Sequence, residues 1–282
     1  MSKPLPVLGF RENVTIITGA SSGIGRELAL QLAGQGAWLV LAARHEADLN
    51  EVAARCRERG GRGGRGERGG RALVVPTDVS VNHQCRDLID ATVSEYDRID
   101  TLINNAGISM WSRFDELETL EFFDTIMRVN YLGSVYCTHS ALPHLKKTKG
   151  RIVGVSSLAG KTGVPTRSGY AASKHAMAGF FDTLRIELID SGVTVTMIYP
   201  DFVATETRKR AFGPDGKPMG ESPVHEAEIM TAEECARQII KAMGRRKREL
   251  IMSARGRIGQ WIKLIAPGLI DRVALRAIER GR

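Results

Sequence analysis

The chain has few cysteines and no long apolar run. Its 282 residues hold four cysteines, Cys56, Cys85, Cys137 and Cys235. They are widely spaced and form no Cys-x-x-Cys pair, which argues against a disulfide framework, a zinc ribbon or a redox dithiol and for reduced, packed thiols. The six histidines show no ligand spacing with cysteines or carboxylates, so no metal site is expected. No apolar stretch approaches the ~18 residues of a membrane span. The first residues, MSKPLPVLGFRENV, lack the charged-then-apolar order of a secretory signal. A reducing cytoplasm is the expected compartment.

Acidic charge is also in deficit, but only in two places. The formal net charge is +8. Residues 57–71, RERGGRGGRGERGGR, carry six Arg against two Glu, and residues 244–282 carry eleven Lys or Arg against three acids. The rest of the chain is mildly acidic. Glycine favours neither helix nor strand, so 57–71 reads as a solvated, flexible insert. It contains no aromatic residue on which bases could stack, and no nucleic-acid partner is expected.

Residues 256–282 form a basic amphipathic extension. Ile258, Trp261, Ile262 and Ile265 recur at helical spacing, and after Pro267-Gly268 the pattern returns with Leu269, Ile270, Val273, Ala274 and Ile278. Such a face suits peripheral contact with an anionic membrane, closure over a substrate pocket, or a subunit interface. Periodicity alone does not separate these uses.

Between these appendages, apolar strand-like runs alternate with helical patterns. Strands are expected at 13–18, 38–43, 72–76, 99–104, 151–156, 193–199 and 249–252. Helices are expected at about 82–95, 117–147, 232–243 and from the Tyr170 region to about 190. This alternation predicts an α/β, doubly wound Rossmann fold with a seven-stranded, mostly parallel sheet and helices on both faces. Residues 1–255 would form one catalytic domain with a substrate lid at 206–230. Ligands of such sheets bind beyond the carboxyl ends of the strands.

Two clusters carry chemistry. The strand at 13–18 runs into GASSGIG and then a helical pattern, the arrangement of a dinucleotide site. Gly19 would allow the tight turn, Gly23 the approach of backbone to pyrophosphate, and Gly25 close packing of helix on strand. The strand at 38–43 ends in Ala42-Ala43 with no carboxylate to bind a free ribose 2′-hydroxyl. Arg44 follows, and its fork of donors suits a 2′-phosphate, so NADP(H) is expected over NAD(H). The second cluster is Ser157, Tyr170 and Lys174. One helical turn separates Tyr170 from Lys174. A free phenol titrates at about 10, and a nearby cation favours phenolate by roughly 1–3 units, which suits general acid–base work. Ser157 could hold a carbonyl oxygen.

Together these pieces resemble the short-chain dehydrogenase/reductase family. The resemblance runs over TGASSGIG (18–25), DVS (78–80), NNAG (104–107), Asn130 in VNYLGS, Ser157, Tyr170 and Lys174, spanning about residues 12–205. The texture around Ser157 and Tyr170 is most similar to the hydroxysteroid-dehydrogenase-like branch. The resemblance implies that Ser21, Ser22 and Ile24 complete the phosphate turn, and that Asp78 and Val79 flank adenine. Asn105, Ala106 and Gly107 would line the ribose side, and Pro200, Val203 and Thr205 the nicotinamide. Tyr170 would be the proton donor or acceptor, Lys174 its cation and a ribose ligand, and Asn130 the holder of a water that links Lys174 to solvent. The implied activity is NADP(H)-dependent interconversion of a ketone and a secondary alcohol on a lipophilic steroid, keto-lipid or xenobiotic. The implied assembly is a homodimer or homotetramer through the long helices at 117–147 and 169–190. One departure stands out: Asp201 follows Pro200 where the family usually has Gly. This raises the alternative of a low-turnover, cofactor-binding scaffold.

Overall fold

The computed structural model describes residues 9–60, 70–206, 209–220 and 229–279. Its centre is a seven-stranded, fully parallel sheet built from β1 (Val14–Thr18), β2 (Trp38–Ala43), β3 (Ala72–Pro76), β4 (Thr101–Asn104), β5 (Arg151–Val155), β6 (Thr194–Tyr199) and β9 (Glu249–Ile251). The strand order is β3-β2-β1-β4-β5-β6-β9. All five residues of β1 and of β5 are buried, as expected for β-branched strands covered on both faces. One core lies under α1 (Gly23–Ala33), α2 (Glu46–Gly60) and α7 (Ala232–Gly244). The other lies under α3 (Asn82–Tyr96), α5 (Gly133–Thr148) and α6 (Ser168–Glu187). The order reverses between β1 and β4, which opens a crevice at their carboxyl ends.

Three elements differ from the sequence reading. The helix expected over 117–147 starts later and is broken into α4 (Glu121–Met127), a π-helical turn (Arg128–Leu132) and α5. A π turn inserts an extra residue into the hydrogen-bond ladder, which apolar periodicity does not register. Within the Gly/Arg insert, residues 57–60 continue α2, because Cys56 is buried in the core and the Arg57 guanidinium bonds the Ala72 carbonyl at 2.8 Å. Residues 61–69 lie outside the described residues. A small parallel pair, β7 (Val203–Ala204) with β8 (Met230–Thr231), brackets the expected lid. Of that lid, residues 207–208 and 221–228 lie outside the described residues.

The tail forms a helical hairpin, α8 (Ala254–Ile265) and α9 (Pro267–Glu279). The apolar stripe of α8 stays largely exposed, whereas Ile270, Val273 and Ala274 of α9 face the body. Trp261, Leu264 and Ile265 are 72%, 78% and 85% exposed. The face turned to the body carries Gly256 instead, where a Cβ would come within 2.6 Å of the Leu158 side chain. Close approach of helix to loop at glycine outweighs burial of the larger residues.

Candidate active site

The crevice above β1 and β4 is a cleft of about 500 Å³. Its turn after β1 has Gly19 and Gly23 at φ of 66° and 52°, in the left-handed region that glycine tolerates. A Cβ on Gly25 would collide with the Gly19 carbonyl oxygen, so the helix can close on the strand only with glycine there. Ser22 gives α1 no side-chain cap, and no acid lies in the first helical turn. These are the features that phosphate oxygens need from a helix N-terminus. Gly19, Ser21, Ser22 and Ile24 line this end of the cleft, while Gly23 and Gly25 shape the turn beneath.

At the next edge, Arg44, Asp78 and Val79 line the cleft. Arg44 is exposed and has no acidic partner among the described residues. The Asp78 carboxylate accepts from the backbone N–H of Ser80 at 2.9 Å and from its hydroxyl at 2.7 Å. That turn aims Val79 inward. Asn105, Ala106 and Gly107 form the floor. The Asn105 amide donates to the Thr18 carbonyl at 2.9 Å, and the Thr18 hydroxyl accepts from the N–H groups of Asn105 and Ala106. Thr18 thus joins the ends of β1 and β4, a role that sequence reasoning does not assign to it.

At the far end Ser157, Tyr170 and Lys174 line the same cleft, with Pro200, Val203 and Thr205 beyond. Lys174 is 3% exposed. Its Nζ donates to the Val155 carbonyl at 2.9 Å and lies 5.7 Å from the centre of the Tyr170 ring. Burial holds the Lys174 amine below its usual range; the Tyr170 charge opposes that shift and Arg167 adds to it. The Ser157 hydroxyl accepts from the Ala159 N–H at 3.2 Å, capping a short 3₁₀ turn. Asn130 does not line the cleft. Fully buried in the π turn, its side chain accepts from the Ile108 N–H at 2.8 Å and donates to the Ile108 carbonyl and the Ser173 hydroxyl, both at 2.9 Å. It ties the Gly107–Ile108 floor to α6.

Asp201 lines the cleft, but its carboxylate is held by the Arg255 fork at 2.6 and 2.9 Å. The side chain that departs from the family pattern is thereby neutralised by the tail. Described lid residues 209–220 close the same end: Phe212 bonds Ser109 and Trp111 through backbone, and Phe212 and Pro218 line the cleft.

Beside Ser157 the cleft opens into a second chamber of about 220 Å³. One wall is Leu158 to Val164, and the other comes from α8 and α9 through Gly256, Gly259, Ile270 and Val273. Arg167, which sequence reasoning passes over, lines both spaces. The signal was available, since Arg167 precedes Tyr170 by three residues, one helical turn.

Comparison with known proteins agrees with this fold. The short chain dehydrogenase family pattern matches residues 13–214, and the chain belongs to that family. It is 40% identical over 257 residues to "11-beta-hydroxysteroid dehydrogenase-like 4A" of Arabidopsis thaliana, covering 91% of this chain and 82% of that protein. To "11-beta-hydroxysteroid dehydrogenase A" of Sesamum indicum it is 37% identical, covering 92% of this chain and 73% of that one. An alcohol dehydrogenase from the archaeon Thermococcus sibiricus, solved with 5-hydroxy-NADP, superposes with a TM-score of 0.73. Its identity is 25%, with 85% of this chain and 95% of that chain covered. The protein is an oxidoreductase of the hydroxysteroid-dehydrogenase-like type. Among its described residues no helix is long and apolar enough to cross a membrane.

Proposed function

We propose that the protein is an NADP(H)-dependent oxidoreductase that interconverts a ketone and a secondary alcohol on a lipophilic molecule. The observation that carries this reading is the convergence of Ser157, Tyr170 and a buried Lys174 at one end of a cleft whose other end is a glycine turn with Arg44 beside it. When bound, the nicotinamide supplies or takes up the hydride. Gly19, Ser21, Ser22 and Ile24 would hold the pyrophosphate of the dinucleotide, Arg44 its 2′-phosphate, and Asp78 with Val79 its adenine. Asn105, Ala106 and Gly107 support ribose, and Pro200, Val203 and Thr205 flank the nicotinamide.

Tyr170 gives its phenolic proton to the substrate oxygen during reduction and takes it back during oxidation. The Lys174 charge, fixed near the ring by the Val155 carbonyl, stabilises the phenolate. Ser157 donates a hydrogen bond to the same substrate oxygen and so orients the carbonyl. Asn130 acts through the Gly107–Ile108 floor and Ser173 as a positioning residue. The second chamber receives the apolar body of the substrate, which steroid, keto-lipid and xenobiotic carbonyls all possess.

A panel of ketones and secondary alcohols, read by the absorbance of reduced nicotinamide with NADP(H) and NAD(H), tests the proposal. Turnover with NADP(H) at higher efficiency than with NAD(H) is expected. Tight cofactor binding with no turnover of any compound would favour the scaffold alternative.

A further inference from the structure

Arg167 is a cation without an acidic partner among the described residues. Its Nη2 donates to the Ser109 hydroxyl at 2.6 Å, the one hydrogen bond of its side chain among the described residues. Its Nε is buried with no partner. The guanidinium carbon lies 4.4 Å from the centre of the Tyr170 ring and 5.2 Å from that of Trp111. These rings hold the plane in place but do not neutralise it. Desolvation lowers the Arg167 pKa, the sign of a charge taken from water without full compensation.

The surroundings repeat the pattern. Asp201 is the one acid among the described residues that line the second chamber, and the Arg255 fork occupies it. Lys161 on the chamber wall is paired with Glu249 at 2.9 Å. Lys263 of α8 also lines the chamber, donates to the Lys161 carbonyl at 2.8 Å, and has no acidic partner among the described residues. Among the described residues the chamber therefore keeps two positive charges without an acidic partner, Arg167 at its junction with the cleft and Lys263 on the tail, around a mainly apolar interior.

We infer that the substrate is an amphipathic carbonyl or alcohol bearing an oxyanion, such as a carboxylate, and that Arg167 is the residue that selects it. This rests on the reaction assigned above and narrows its substrate class. An oxyanion would complete the guanidinium's hydrogen bonds while the apolar body fills the chamber. Binding of a charged hydrogen-bonding group at a partly desolvated site favours it over a neutral isostere by at least about tenfold. Because the guanidinium also lies over the Tyr170 ring, the anion would sit a few bonds from the reacting carbon.

The test is calorimetric titration of the full-length protein, saturated with NADP⁺, with octanoate and with octanamide. Octanoate is expected to bind at least about tenfold more tightly than octanamide. Arg167→Gln should abolish the preference, and Arg167→Lys should keep part of it, since a point charge replaces the fork. Equal binding of the two, binding of neither, or a preference that survives Arg167→Gln would overturn the inference. A purely structural arginine would lower both affinities together, which also overturns it. The parent comparison needs no variant, so a misfolded Arg167→Gln protein does not shield the idea. Binding is read without turnover, so a protein that prefers octanoate yet reduces no carbonyl would overturn the proposed reaction instead.

Discussion

Lys174 stands where the cleft meets the sheet, with its amine on the Val155 carbonyl and its charge near the Tyr170 ring. Removing the phenolic oxygen leaves that packing in place. Tyr170→Phe should therefore lower turnover by roughly 10²–10⁴-fold while nicotinamide binding, followed by fluorescence of the reduced cofactor, stays near the parent value. A variant that keeps more than half its activity would remove Tyr170 from the mechanism. Lys174→Ala should damage both turnover and cofactor binding, because the proposed mechanism gives one amine both roles. The role proposed for Arg44 is narrower. If it reads the 2′-phosphate, Arg44→Ala should reduce the NADP(H):NAD(H) ratio of kcat/KM by about tenfold or more. An unchanged ratio would show that the phosphate is read elsewhere.

At the scale of elements, the tail hairpin couples to the cleft through the Asp201–Arg255 pair. Arg255→Ala would leave the Asp201 carboxylate without its partner beside the proposed nicotinamide end of the cleft. We expect weaker cofactor binding and a higher KM for carbonyl substrates. The double variant Asp201→Gly with Arg255→Ala should recover cofactor affinity, since the repelling charge is gone. Cofactor affinity that does not change in Arg255→Ala would show that the Asp201 carboxylate does not act on the cofactor. The outer face of the hairpin makes a separate prediction. Trp261 and Ile265 point away from the chamber, and basic residues flank them. The double variant Trp261→Ser with Ile265→Ser should lower binding to vesicles containing phosphatidylserine and leave kinetics intact. Equal vesicle binding by the parent and the variant would mean that this face serves protein contacts instead.

For the whole molecule, all four cysteines are free and buried. Burial pushes Cys56 and Cys235 up to about 12, and the hydrogen bond with Cys85, joined by burial, holds Cys137 well above the thiol range. Only about 10⁻⁴ of a thiol of pKa 12 is thiolate at pH 8, so alkylation of native protein by iodoacetamide should be slow and should accelerate sharply in denaturant. Rapid labelling of Cys56 or Cys235 at pH 8 would contradict their burial. The linkage has a definite sign. The folded values lie above the unfolded value of about 8.5. The stability gained by keeping these thiols protonated is thus complete below that pH and declines as pH rises towards about 12. We expect a homodimer or homotetramer built on α5 and α6. Ile186 near the end of α6 and Ile189 just beyond it are exposed on the isolated chain. A monomer in sedimentation at micromolar concentration would refute this.

The sequence by itself determined the sheet, the order of its elements and the site's chemical groups. These depend on local patterns: β-branched runs, a glycine turn between strand and helix, and a Tyr–Lys pair one helical turn apart. It also determined that Gly25 must be glycine, because strand and helix meet within a few residues. What lay beyond its reach were contacts between residues distant along the chain. The π turn that buries Asn130 depends on Ile108 and Ser173. The fate of Asp201 depends on an arginine 54 positions away. The hairpin's apolar stripe was legible as a pattern, but which face of α8 met the body was not, because Gly256 meeting Leu158 decided it. Arg167 has the same origin: that no acid among the described residues pairs with it becomes visible only when the segments around Ser109, Tyr170 and the chamber converge on it. Periodicity reports how one element repeats, whereas charge compensation and close approach belong to pairs that folding alone brings together.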